Sequence, residues 1–334
     1  FKGYDYIIAG AGSAGCTLAA RLTEDPNVTV CLLEAGGSHE HWSVRIPAMS
    51  LVNMVLKKRN WGFETVPQKG LNGRQGYQPR GKMLGGSSGS NAMIYIRGHK
   101  ADYDGWAELG NEGWSYDDVL PYFKKAEYNN RFCNDSHGTN GPLGVSDIDH
   151  IHPLTRAWLL ACQQKGMPFN PDFNSGDPAG CGLYQITARN GRRSSAATAY
   201  LKPARNRKNL TVQTGARVCK IICENGRATG VEYVMNGKTR ILRARREVII
   251  SAGAIASPKL LMTSGIGAAG ALEKHGIKVV ADISGVGQNL QDHIEMSLIY
   301  QLNGPHSYDK YKKLHWKALA GLNYLLFKGG PASS

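Results

Sequence analysis

The stretch from Tyr4 to Ala35, YDYIIAGAGSAGCTLAARLTEDPNVTVCLLEA, constrains this chain more than any other part of it. A short apolar run leads into a turn with glycines at 10, 12 and 15. An alanine- and leucine-rich segment of helical spacing follows, and then a second apolar run. The pattern predicts strand, glycine turn, helix, strand, with both strands buried. Gly10 allows the tight turn, Gly12 lets a pyrophosphate approach the backbone, and Gly15 lets the helix pack close to the first strand. Ser13 and Ala14 fall in the turn, and the N-terminus of the helix that follows it, CTLAARLTED, faces the anion. Glu34, followed by Ala35, ends the second strand about 20 residues beyond Gly15, where an acid accepts hydrogen bonds from a ribose hydroxyl. A dinucleotide site is the expectation.

Length and composition agree with a ligand-binding α/β protein. The chain has 334 residues, 42% of them hydrophobic, enough for two domains or one large α/β unit. Its 41 glycines follow no Gly-X-Y period, so they mark turns and close backbone approaches. No apolar run reaches the ~18 residues of a spanning helix. FKGYDYIIAG enters a strand with no charged flank or cleavage site, so no targeting signal is expected. Seven cysteines are an odd number and form no C-x-x-C pair; Cys219 and Cys223, in RVCKIICENG, read as residues of one strand. Free thiols, no metal and a reducing intracellular compartment are expected, with little weight on the sequons at Asn27, Asn134 and Asn209. The net charge of +14 would attract an anionic cofactor, acidic lipid or nucleic acid. The cations are scattered, without helix-turn-helix, zinc finger or aromatic RNA platform, and nucleic-acid binding is set aside.

Beyond Glu34 the alternation of strands and helices lapses, and residues 36–110 read as irregular. Helical patterns return near Tyr116–Glu127, Pro153–Lys165 and Ser194–Leu201, before an antiparallel section turning at Asn236-Gly237. REVIISAGAIASPKLLMTSGIG then predicts a buried strand, a small-residue turn and a helix starting near Ser257-Pro258. A dinucleotide fold split early and resumed some two hundred residues later suits FAD, a long cofactor, better than NAD. The expected class is α/β (α+β overall): a Rossmann-like FAD domain interrupted by insertions (1–150 and 205–297) and a partial substrate-binding domain (151–204 and 298–334). Taken alone, the glycine- and serine-rich half of RGKMLGGSSGSNAMIYIRG (80–98) is no more than a turn.

Together, AGAGSAG…LLEAG, GKMLGGSSGSNAMIYIRG, GAIASPKLLMTSGIG and GVGQNLQDH resemble the ordered signatures of the glucose-methanol-choline (GMC) flavin oxidoreductases. NWGFETVPQ, YIRGH and GVSDI are most similar to the choline dehydrogenase and aliphatic alcohol dehydrogenase branch. The resemblance implies an extended FAD held at Gly10, Gly12, Ser13, Ala14, Gly15, Glu34 and Ala35. A second segment would wrap pyrophosphate and isoalloxazine through Arg80, Gly81, Leu84, Gly85, Gly86, Ser87, Asn91, Ala92, Met93 and Ile94. Trp61, Val218 beside the adenine, and Ala252-Gly253 complete the set. Ser90 stands where some members carry a flavin-linking histidine, which implies noncovalent FAD. The implied chemistry is oxidation of primary alcohols, aliphatic or choline-like, to aldehydes by hydride transfer to flavin N5, with electrons passed to a quinone-type acceptor. An oxygen-using oxidase, a non-redox lyase of the same fold and a fragment that only binds FAD are the alternatives.

The family's catalytic histidine, paired with histidine or asparagine, belongs to a C-terminal segment beyond Ser334, so no catalytic residue is named and that segment is an expected partner. His293 is expected to be a hydrogen-bonded packing residue, and His99 and His275 to lie on surface turns or helix ends. The helix Lys313–Lys328 carries Leu314, Ala318, Leu322 and Leu325 on one stripe. Core packing is its favoured role. A basic membrane contact is the alternative, and would place the protein at an inner membrane instead of free in the cytoplasm.

Overall fold

The computed structural model describes residues 3–55, 57–293, 295–304 and 306–333. Two compact units divide it, one made of the residues to His41, Leu51–Ser90 and Ala196–Met296, the other of Trp42–Ser50, Asn91–Ser195 and Ser297 onward.

The first unit is built on one six-stranded mixed sheet. Its strands are β1 (Tyr4–Ala9), β2 (Val30–Glu34), β3 (Leu210–Thr214), β4 (Ala216–Glu224), β5 (Arg227–Met235) and β6 (Lys238–Ile250), in the order β3-β2-β1-β6-β5-β4. The first three strands and the end of β6 run parallel, while β4, β5 and the start of β6 form an antiparallel meander. β6 joins the two halves: Lys238 to Arg243 pair with β5, and Ala244 to Ile250 pair with β1. The expected return to the parallel sheet is thus made beside the first strand. Every residue of β2 is buried, as its unbroken apolar run requires.

Helix α1 (Ser13–Leu22) crosses between β1 and β2. It turns Cys16, Ala19 and Ala20 inward, onto a core with Ile8, Val30 and Leu32. Truncating Leu32 to alanine there would cost ~2–5 kcal/mol. Two-residue turns close both hairpins, at Asn225-Gly226 and Asn236-Gly237, and all four residues have positive φ. That is the type I′ requirement which makes Asn-Gly a hairpin signal. Helix α2 (Gly253–Thr263) starts at Gly253, four positions ahead of the expected Ser257-Pro258. Pro258 therefore sits inside the helix, not in its first turn, and removes one backbone N–H donor from it.

The division of the chain differs from the expected one for reasons visible in the packing. Residues 196–204 go with the first unit because Ala196, Ala197, Leu201 and Ala204 pack into the core of α1. Residues 91–150 go with the second, where Ile94–Tyr95 pair with Gln185–Ile186 and Arg97 is buried against Glu127. Segment 42–50 joins them through Arg193, whose guanidinium donates to Val44 O and Ser50 Oγ.

The second unit is richer in helices: Lys100–Glu108, Tyr116–Ala126, Pro153–Gln164 and Leu314–Phe327. His99 and Ser115 cap the first two, each in a capping box with the aspartate three residues on. His99 is thus at a helix end and exposed, and His275 is exposed just beyond the helix Ala269–Glu273. His293 is a correction: it is exposed, and among the described residues its bond is from the backbone N–H to Asp292 Oδ1. The terminal helix is another. Leu314 is 81% exposed, Leu322 52% and Leu325 67%, and Tyr324 is the buried residue, its hydroxyl donating to Gly191 O. The apolar stripe therefore faces away from this unit's core. No described helix is long and apolar enough to cross a membrane, and no described cluster of side chains could hold a metal ion. Cys219 and Cys223 share β4 as free, half-buried thiols.

Candidate functional site

The carboxyl ends of β1, β2 and β6 open onto one cavity of about 710 Å³ within the first unit, the place where open α/β sheets take ligands. Gly10, Gly12, Ser13, Ala14, Glu34, Ala35, Trp61, Arg80, Gly81, Gly86, Ser87, Val218, Ala252 and Gly253, all expected site residues, line it.

Its floor is made by glycine packed against backbone. A Cβ on Gly15 would lie 2.0 Å from Gly10 O, so this residue sets how closely α1 sits on the turn. Gly86, at φ +53, would place a Cβ 2.8 Å from Gly12 Cα, so the 81–87 loop lies directly on the first glycine turn. The Gly85 N–H donates to Ala11 O at 2.7 Å and the Leu84 N–H to Gly37 O at 3.0 Å. The stretch that reads as a simple turn is thus the second wall of the β1–α1 turn. At Gly12 the geometry is the reverse. A Cβ there would meet nothing closer than Ser251 O at 3.8 Å, which leaves its outer face open to the cavity.

Glu34 anchors the other end. Its carboxylate is nearly buried and accepts the Ala11 N–H on Oε2 (2.9 Å) and the Gly36 N–H on Oε1 (2.7 Å). Burial pushes its pKa above the ordinary carboxylate range, and the two N–H bonds and the charge of Lys82 oppose that only in part. Each oxygen keeps a further lone pair for a hydroxyl donor. The helices α1 and α2 present their N-termini at the cavity wall without a side-chain cap, and the cations Arg80, Arg217 and Lys259 also line it. These groups can hold an anionic, ribose-bearing ligand by oriented N–H groups and positive charge.

Trp61 stacks on Phe63 at a centroid distance of 5.7 Å and 4° between planes, with Lys82 Nζ 4.7 Å above the indole. That offers the cavity a flat aromatic wall. Phe63, Arg217 and Ser251 are lining residues that the sequence reading passed over. Ser251 had a signal, as the first of three small residues after β6; its Oγ donates to Gly10 O at 2.7 Å and ties the resumed strand to the glycine turn. Arg217 had none, since only the pairing of β4 puts it there.

The remaining expected residues are elsewhere. Gly15, Leu84 and Gly85 pack behind the cavity wall, and Asn91, Ala92, Met93 and Ile94 belong to the second unit and are not among the lining residues. There Asn91 Oδ1 accepts from Arg193 (2.7 Å) and from the Met93 N–H (3.2 Å), which holds Met93 at φ +64.

A family model described as GMC oxidoreductase matches residues 4–295. The chain belongs to this family. An oxygen-dependent choline dehydrogenase of Rhizobium etli is 46% identical over 331 residues, covering 99% of this chain and 60% of that protein. The alcohol dehydrogenase [acceptor] of Pseudomonas putida is 43% identical over 328 residues, 97% of this chain and 59% of the relative. Among solved structures, an FAD-dependent oxidoreductase from Chaetomium thermophilum superposes with a TM-score of 0.90 at 31% identity, over 99% of this chain and 60% of that one. The GMC chain described here thus spans about 60% of the length of these relatives.

Proposed function

We propose that this protein binds FAD noncovalently and oxidises primary alcohols, choline-like or aliphatic, to aldehydes. The observation that carries the reading is the buried Glu34 carboxylate, held by two backbone N–H groups at the wall of a cavity floored by the Gly10–Gly15 turn and walled by the 81–87 loop. Support also comes from family membership and from relatives named choline dehydrogenase and alcohol dehydrogenase. Glu34 would take the ribose hydroxyl, the turn and α1 the pyrophosphate, and Val218 and Trp61 the flat rings. The contacts implied for Asn91–Ile94 belong to the same reading. The flavin, when bound, supplies the hydride acceptor. The base that takes the alcohol proton is assigned to no described residue. Electrons pass on to a quinone-type acceptor.

Anaerobic addition of choline or a primary alcohol to the full-length protein should bleach the visible flavin absorption. A flavin that stays oxidised with every alcohol would leave only a lyase or a binding protein. Peroxide accumulating on aerobic turnover would replace the quinone by oxygen. Because Ser90 cannot form a histidyl link, acid precipitation should release the yellow cofactor to the supernatant. Colour retained in the pellet would overturn the noncovalent assignment. Peripheral membrane association extends the reading, supported by the exposed leucines of Leu314–Phe327 beside Lys310, Lys312, Lys313 and Lys317. Failure of the full-length protein to float with anionic liposomes at low salt would remove it.

A further inference from the structure

The second unit buries a set of charges that the cavity does not use. The His137 ring is fully buried, with Nδ1 2.9 Å from Glu127 Oε1 and Nε2 2.9 Å from Asp172 Oδ2. A carboxylate can only accept, so a ring with one at each nitrogen satisfies both only by carrying two protons. Arg97 closes the set, its guanidinium 2.7 Å from Glu127 Oε2. Two cations then balance two anions. The charged groups facing the ring come from three directions: Glu127 from the strand Glu127–Asn129, Asp172 from the 170–175 loop, and Arg97 through Glu127 from segment 94–97. On its own loop the Phe132 ring stacks against it. Arg131 lies over that phenyl face and pairs with Asp147.

The two carboxylates are unequally provided for. Glu127 also accepts from Arg97, from Asn129 Nδ2 (2.9 Å) and from the Gly138 N–H (3.0 Å). Among the described residues Asp172 Oδ2 has His137 alone, while its Oδ1 takes the Asn174 N–H. Asn129 Nδ2 also lies 3.2 Å from His137 Nδ1, but its two protons go to Glu127 Oε1 and Gln185 Oε1. A neutral ring has one N–H for two carboxylates, and within this set only Glu127 keeps a cation, Arg97, so Asp172 becomes the buried charge without a countercharge. The loop bearing Asp172 is also what holds segment 95–97, through Asn174 to the Arg97 N–H and to Tyr95 O.

We propose that His137 is a doubly protonated clamp on this unit, and that its loss of a proton releases the Asp172 loop and with it the hold on residues 95–97. The unit then loosens on alkalinisation. Burial lowers the affinity of the ring for its proton, but the bonds to Glu127 and Asp172 outweigh it and hold the pKa above the ordinary value. A group raised in the fold stabilises fully below its unfolded value of about 6.5 and loses that stabilisation as pH rises through the folded one.

The test uses full-length protein. Nitrogen-15 spectra of the imidazoles at neutral pH should show both nitrogens of His137 protonated; a single neutral tautomer would overturn the proposal. Hydrogen exchange corrected for intrinsic base catalysis should show protection of 95–97 and 170–175 falling above neutrality in the wild type. In H137Q that pH-dependent step should be absent. If H137Q does not fold, D172N decides: with one carboxylate neutral, the step should move down by about one pH unit or more. A step that stays in place in D172N, or that survives unchanged in H137Q, would refute the clamp.

Discussion

Glu34 and Glu127 are both glutamates inside the protein, and their surroundings differ in every respect that bears on use. Glu127 is met by Arg97, His137, Asn129 and the Gly138 N–H; burial raises its pKa, but those bonds more than offset it, and the carboxyl is held below its ordinary range. Glu34 has two backbone N–H groups and no ion pair among the described residues, and burial leaves its carboxyl above that range. A carboxylate saturated by side chains serves the fold. One kept buried at a cavity wall with lone pairs to spare serves a ligand.

The comparison can be broken most directly at Glu127. Glu127→Gln leaves Arg97 and His137 facing an amide in the interior, and losing one partner of a buried ion pair costs about 3–5 kcal/mol. Urea denaturation should register that loss, while flavin titrates into the folded fraction with undiminished affinity. A small loss of stability would mean that the cluster is solvated and the contrast is false.

Around Glu34 the same contrast is carried by backbone, so glycines replace charges as the sensitive positions. Gly15→Ala drives a Cβ into Gly10 O and should destabilise the first unit by about 3 kcal/mol. Gly12→Ala finds room in the fold and should change stability by less than about 1 kcal/mol. Its methyl group points into the cavity, however, and FAD affinity should drop about 10-fold, equal to about 1.4 kcal/mol. Fluorescence titration of apoprotein beside a melting curve separates the two effects. Equal flavin affinity in Gly12→Ala and wild type would remove the cofactor from this turn.

How much of this was legible in the sequence follows from how local each feature is. The β1–α1–β2 unit, the Asn236-Gly237 hairpin and Glu34 could be read because each depends on residues near in sequence, where period and turn chemistry act. The start of α2 was misplaced because Pro258 was read as a first-turn signal when it sits inside a helix that Gly253 begins. The terminal stripe has helical spacing whether or not anything covers it, so periodicity found the helix but not its exposure. Ser251 reaches the cavity through the pairing of β6 with β1 across more than two hundred residues, Arg217 through a meander joined to that pairing, and the His137 cluster assembles residues 97, 127, 137 and 172 from separate segments. Nothing in a linear pattern marks such juxtapositions.

The smallest expected effect is also the sharpest, because the two glutamates should respond to pH with opposite sign. Glu127, with its folded pKa depressed, contributes stability that is present above the unfolded value of about 4.3 and is lost as pH falls through the folded one. For Glu34, raised in the fold, the contribution is present below about 4.3 and is lost as pH rises through the folded value. Glu34→Gln should cost only about 1 kcal/mol, since its amide oxygen can still accept one of the two N–H groups. The difference between wild type and this variant should then shrink as pH rises from about 4 toward neutrality, while that between wild type and Glu127→Gln should stay near full size above about 5 and shrink as pH falls below about 4. Urea midpoints of the three proteins without flavin, taken across that range, provide the measurement. Should the wild-type and Glu34→Gln curves run parallel, Glu34 has an ordinary carboxyl, is more solvated than its position suggests, and loses its distinction from Glu127.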